Sequence, residues 1–296
     1  MREGGNYKKG MAAALACAVL WGFLPIYWKI LDNIPSNIII FYRIFWVGVT
    51  CFICCLKIYG YRQLKSYIKN KEEFFKFIGA GLIITSNWSI YIWAVNAGYI
   101  IQTSIGYYTE PLMVCAFGIL IFKEQLTKYK SVAFLMALLG VCVVIIHFGD
   151  FPLIALGLAL TFAVYAAIKK TVSAPPLVSL FYETFFFIIP ALLVIIYMEA
   201  SGIGALKYGS GLDVALLTTT GLATAVPLGL FGLAAANLPL ITLGITEYVS
   251  PSISLIIGIF LYREPFDFTQ LTAFFAIWIG LIVFTVGEKK EYDENR

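Results

Sequence analysis

Four charged residues are surrounded on both sides by apolar sequence: Arg43, Glu110, Glu183 and Glu247. A charge at the centre of a membrane-spanning helix costs about 2.5–3.5 kcal/mol on insertion scales, so such a residue faces a partner, a bundle interior or a water-filled cavity. Glu110 and Glu247 lie close to Pro111 and Pro251. A proline inside a helix cannot donate to the carbonyl four residues back, so it kinks the helix and frees a polar backbone group. A carboxylate beside such a kink could bind an ammonium group or take up a proton. Arg43 and Glu183 carry opposite charges and read as structural or coupling charges that compensate one another.

A second set is aromatic and amide. Trp21, Asn87, Trp88, Tyr91, Tyr107 and Tyr165, together with Glu110 and Glu247, are the candidates for lining a substrate cavity. Asn87 and Tyr91 are four apart and share one face of a helix. Rings with a few polar groups among them suit a small amphipathic solute. With 16% aromatic residues in the chain, most of the remaining rings serve packing or interfacial belts. The six cysteines lie in apolar runs without metal-ligand spacing, and the one histidine, His147, falls at a helix end. No H-E-x-x-H, G-x-S-x-G or G-x-x-x-x-G-K-[ST] motif occurs, so no metal, cofactor, nucleotide site or catalytic residue is expected.

The elements that must position these residues follow from composition. Sixty per cent of the chain is hydrophobic, 13% is charged, and mean hydropathy is +0.87. Soluble domains run nearer half apolar and a quarter charged, and a surplus this large does not fit one soluble core. A spanning helix needs about 20 mainly apolar residues. Ten such runs are expected, at 10–31, 36–59, 75–98, 103–123, 128–147, 152–170, 177–199, 213–236, 241–262 and 267–286. Pro35, Pro152, Pro175, Pro176 and Pro239 mark breaks between them. The runs lack the ten-residue alternation of barrel strands. Lys8 and Lys9 precede a run that continues to Ile30, which reads as an uncleaved first helix.

Basic residues orient the bundle. With the N-terminus in the cytoplasm, Lys29, Lys207 and Arg263 fall outside, Arg43 lies within the membrane, and the other 17 of 21 Lys and Arg fall inside. The basic loop 57–76 then has anionic lipid, not nucleic acid, as its neighbour. A shift of 140 residues aligns Phe41-Tyr42-Arg43 with Phe181-Tyr182-Glu183, Pro111 with Pro251, Gly118 with Gly258, Lys123-Glu124 with Arg263-Glu264 and Gly140 with Gly280. The expected organisation is therefore an all-α bundle of ten transmembrane helices. A cytoplasmic tail (1–9) leads into one five-helix repeat (10–147), an inverted second repeat (150–286) and another tail (287–296). Inverted halves are a construction of many secondary transporters. At 1.5 Å per residue, Arg43 and Glu183 differ by about 10 Å in depth, within reach of two long side chains.

The segments "NWSIYIWAVNAG" (87–98), "SIGYYTEPLMVCAFGILIFKEQL" (104–126), "IALGLALTFAVYAAIKK" (154–170), "TAVPLGLFGLAAANLPLITLG" (224–244) and "EYVSPSISLIIGIFLYREPF" (247–266) resemble the RarD group of EamA-type transporters, in the drug/metabolite transporter superfamily. The resemblance runs the length of the chain in order. It implies ten helices, inverted halves, a central substrate cavity and export of small metabolites or drugs across the plasma membrane. The chain departs from the usual pattern at Thr109-Glu110, where relatives carry an uncharged pair, and at Glu247, where Gln is common. The expected activity is gradient-driven transport of a small molecule by alternating access. An uncoupled facilitator or channel-like uniporter is the alternative, and a membrane-embedded enzyme a remote one.

Overall fold

The computed structural model describes residues 4–149, 151–263 and 268–294; Glu264, one member of the repeat alignment, lies outside them. Among the described residues the regular elements are helices, with no strand. The long helices are α1 (Gly4–Ile30), α2 (Ser36–Tyr67), α3 (Lys71–Asn96), α4 (Ile100–Leu120), α5 (Lys128–Phe148), α6 (Leu153–Thr171) and α7 (Pro176–Ala200). After the four-residue α8 (Ala205–Tyr208) come α9 (Gly211–Asn237), α10 (Leu240–Glu247), α11 (Val249–Phe260) and α12 (Phe268–Glu294). Nine stretches among the described residues are long and apolar enough to cross a membrane, with Leu240–Phe260 counting as one. The chain is a multi-pass membrane protein.

The helix limits follow local chemistry. Pro35, Pro152, Pro175 and Pro239 each stand immediately before a helix, where a missing N–H costs nothing. Asn70 caps α3 by accepting from the Glu72 and Glu73 amides, and Ser210 closes a capping box with Asp213 at the start of α9. The second apolar run ends at residue 59, and Gly60 there has φ 71°, a break between the span and a polar extension to Tyr67. Three features depart from the expected pattern. The run 241–262 is divided at Tyr248 into α10 and α11. The loop after α7 forms α8. The last helix continues past residue 286 to Glu294.

In the bundle α2 packs on α7, α5 on α12, α4 on α6, α3 on α6 and α7, and α1 on α9 and α11. Small residues allow the close approaches, as expected where lipid removes the apolar driving force between helices. A Cβ on Gly140 of α5 would stand 2.7 Å from the Ala273 carbonyl of α12; one on Gly280 of α12 would stand 3.0 Å from the Ala133 carbonyl of α5. Lys123 and Arg263, each just past a helix, are the two non-glycine residues with positive φ among those described, both at 54°. L-residues seldom adopt this conformation.

Candidate functional site

Arg43 sits in α2, about 10 Å from that helix's start at 1.5 Å per residue. Its Nε donates to Thr224 Oγ1 of α9 at 2.9 Å. The guanidinium carbon lies 4.4 Å from the centroid of Trp88 on α3 and 5.4 Å from that of Trp28 on α1. A cation over an aromatic face gains about 0.5–2 kcal/mol. Among the described residues no carboxylate is within ion-pair distance of Arg43. Tyr91 on α3 and Tyr107 on α4 are its electrostatic neighbours, and their rings meet edge to face at 5.8 Å. Tyr107 is 49% exposed. Its ring is turned to Tyr91 and lies within electrostatic range of Arg43.

One turn further along α4 is Glu110, half-buried and directly before Pro111. Glu247 closes α10 and is within electrostatic range of Glu110. It is buried, and its Oε1 has no hydrogen-bond partner. A buried oxygen left without a partner costs about 1–3 kcal/mol or more, so Glu247 carries unspent hydrogen-bonding capacity. The two prolines act differently. Helix α4 continues through Pro111, whereas Pro251 lies in the first turn of α11, just after the division at Tyr248. The Tyr248 hydroxyl donates to the Tyr108 carbonyl at 2.8 Å and pins the division against α4.

Glu183 corrects the expected pairing with Arg43. Its Oε1 accepts from Lys169 Nζ at 2.6 Å and from Ser179 Oγ, and its Oε2 accepts from the Tyr165 hydroxyl at 3.0 Å. Lys169 also donates to Ser179 Oγ at 2.8 Å. All four side chains are buried. The tethers belong to α6 and α7, and they bring Glu183 to the basic end of the bundle, away from Arg43.

The other candidates divide accordingly. Tyr165 is fully buried, stacked near Phe231, and belongs to the Glu183 network, away from open space. Asn87 donates to the Leu158 carbonyl and to Thr161 Oγ1, both at 2.9 Å, so its amide ties α3 to α6. Trp21 packs with Phe162 at 5.8 Å and Phe231 at 5.6 Å. Trp88, Tyr91 and Tyr107 gather around Arg43, with Glu110 and Glu247 deeper. Trp28 and Thr224 escaped the sequence reading; a lone tryptophan and a threonine inside apolar runs carry no local signal.

At the basic end, contacts join residues far apart in the chain. Lys170 pairs with Glu124 at 2.9 Å and donates to the Leu238 carbonyl at 2.7 Å. Glu124 accepts from the Leu240 and Ile241 amides at 2.9 and 3.0 Å, capping α10. A carboxylate at a helix N-terminus meets free N–H groups and the positive end of the dipole. Glu73 accepts from the Ser173 and Ala174 amides.

Comparison with known proteins fits this arrangement. The EamA-like transporter family matches residues 8–146. A protein of Bacillus subtilis (strain 168) named "Uncharacterized transporter YojE" is 37% identical over 96% of this chain and 95% of its own. Protein RarD of Streptomyces exfoliatus is 30% identical over 96% and 90%, and Protein RarD of Escherichia coli (strain K12) is 28% identical over 94% of each. A solved crystal structure 16% identical in sequence superposes with a TM-score of 0.71 over 94% of this chain and 97% of that one, which shows a shared fold. The chain belongs to the EamA-like transporter family as a RarD-type membrane transporter.

Proposed function

We propose that this protein is a gradient-driven exporter of a small metabolite or drug, working by alternating access of two inverted five-helix halves (10–147 and 150–286). It resides in the bacterial inner membrane with both termini cytoplasmic. Reciprocity at an offset of 140 supports the halves. Gly140 and Gly280 approach Ala273 and Ala133, which are themselves 140 apart. The strained Lys123 and Arg263 are 140 apart, as are Tyr108 and Tyr248. Counting α4 as spanning, and α10 with α11 as one span, gives ten crossings and termini on one face.

The observation that carries the transport reading is an interior site of charges and rings drawn from both halves, with contacts joining the halves near both ends. Lys170 with Glu124, and Glu73 with the Ser173 and Ala174 amides, each join one half to the other at the basic end. Nearer the opposite end, Tyr42 donates to Glu199 Oε1 at 2.7 Å, Tyr27 to the Leu216 carbonyl at 2.8 Å, and the Ile154 amide to Gln102 Oε1 at 3.0 Å. Contacts between the halves on either side of an interior site can break and re-form in turn, as an alternating cycle requires. Glu247, buried with an unpartnered oxygen, is the group placed to meet a proton or a cationic solute group.

The test is reconstitution. Purified protein in vesicles is screened by thermal shift against amino acids, nucleosides and phenicol drugs, since a bound ligand stabilises the folded form by mass action. Stabilising compounds are then followed in transport with and without an imposed proton gradient. Saturable, gradient-dependent movement is expected. Movement that only dissipates the solute's own gradient would select the facilitator reading, and no movement of any stabilising compound would refute transport.

A further inference from the structure

Arg43 is a cation at membrane depth whose natural counter-charge is absent. The residue aligned with it in the other half, Glu183, is fully neutralised by Lys169, Ser179 and Tyr165. Arg43 has instead one neutral hydrogen bond, from Nε to Thr224 Oγ1, and the faces of Trp88 and Trp28. These contacts occupy the Nε edge and a face of the guanidinium and orient it. Among the described residues its terminal amino groups have no hydrogen-bond partner. A guanidinium presents those donors in its own plane, where a planar carboxylate engages two of them at once. The nearby phenols of Tyr91 and Tyr107, whose rings meet edge to face at 5.8 Å with Tyr107 49% exposed, offer flat apolar faces.

A charge held uncompensated in the membrane is costly unless something pairs with it. Glu110 and Glu247 do not supply the pairing, since neither is within ion-pair distance of Arg43 and they interact with each other. We propose that the site formed by Arg43, Tyr91 and Tyr107 receives an organic anion, a carboxylate carried on an aromatic or other flat apolar body, with Arg43 as its counter-charge. The carboxylate would take the terminal amino groups of Arg43, and the body would lie against Tyr91 and Tyr107. This rests on the transporter reading and names the class of its substrate.

The experiment uses three probes of one shape and different charge: indole-3-acetate, its neutral amide indole-3-acetamide, and the cation tryptamine. Binding to the purified full-length protein is measured by calorimetry, and uptake by proteoliposomes. The expected result is that the carboxylate binds at least tenfold tighter than the amide or the amine. Arg43→Gln should abolish that preference and Arg43→Lys should retain part of it. Should Arg43→Gln fail to fold, wild type alone decides: the carboxylate, and not the amide, should protect Arg43 from a dicarbonyl reagent, read by mass spectrometry at that residue. Equal binding of all three probes, no binding of the carboxylate, or a carboxylate preference that survives in Arg43→Gln would overturn the proposal. Uptake of tryptamine or the amide without the carboxylate would overturn it while leaving the protein a transporter; uptake of none, with none of the wider solute panel moved, would count against transport itself.

Discussion

Lys169 on α6 and Glu183 on α7 form a buried ion pair with 2.6 Å between Nζ and Oε1. Ser179, one turn before Glu183, touches both members, and Tyr165, one turn before Lys169, holds the second carboxylate oxygen. All the partners come from two neighbouring helices and a short connection, so the network can form with the α6–α7 hairpin. It also frees Arg43 from the role of partner to Glu183.

Removing one member should be costly. Lys169→Met is expected to destabilise the protein by about 3–5 kcal/mol, because it strands a buried carboxylate. The double variant Lys169→Met with Glu183→Gln should recover part of that loss. Arg43→Gln removes no ion pair and should cost less, about 1–2 kcal/mol from one hydrogen bond and the ring contacts. Melting temperatures of the four proteins in one detergent check the order; a larger loss in Arg43→Gln than in Lys169→Met would reverse the two roles.

Glu247→Gln should leave stability nearly unchanged. The substitution keeps shape, and Oε1 has no partner to lose. Transport rate or its pH profile should change, with the variant flatter across pH than wild type. The check is uptake at a series of pH values with abundance matched; superimposable profiles would show that Glu247 takes no part in coupling.

Close helix contact predicts strain at two glycines. Gly140→Val and Gly280→Val should each push α5 and α12 apart, since even a Cβ would stand 2.7 and 3.0 Å from a facing carbonyl. Losses of about 1–3 kcal/mol are expected from overpacking. Gly157→Ala, where a Cβ meets nothing within 4 Å, is the control and should be neutral. Unaltered melting of both valine variants would mean that this interface is looser than described.

Reporter fusions after residues 66, 127, 173 and 290 should report the cytoplasm, and fusions near 33, 150 and 207 the outside. Termini found on opposite faces would remove the basis for inverted halves.

Helix existence and the proline-marked helix starts were legible along the chain. The apolar runs are long, lipid demands that their backbones be satisfied within each segment, and Pro35, Pro152, Pro175 and Pro239 mark where helices begin. The 140-residue offset was legible too, and Gly140 and Gly280 serve matched packing positions, whereas Pro111 and Pro251 do not. Depth along a helix gave the four interior charges, and rise per residue placed Arg43 and Glu183 within reach of each other. Which way each side chain turned was decided only in three dimensions. A rotation of one helix by a few tens of degrees exchanges one neighbour for another without altering the sequence pattern. So Glu183 met Lys169, which the charge pattern had assigned to the cytoplasmic margin; Asn87 turned to α6 while Trp88, its neighbour in sequence, turned to Arg43. Trp28 entered the Arg43 site from the adjacent α1 and Thr224 from α9, distant from α2 along the chain, because tertiary packing sets which helix faces meet.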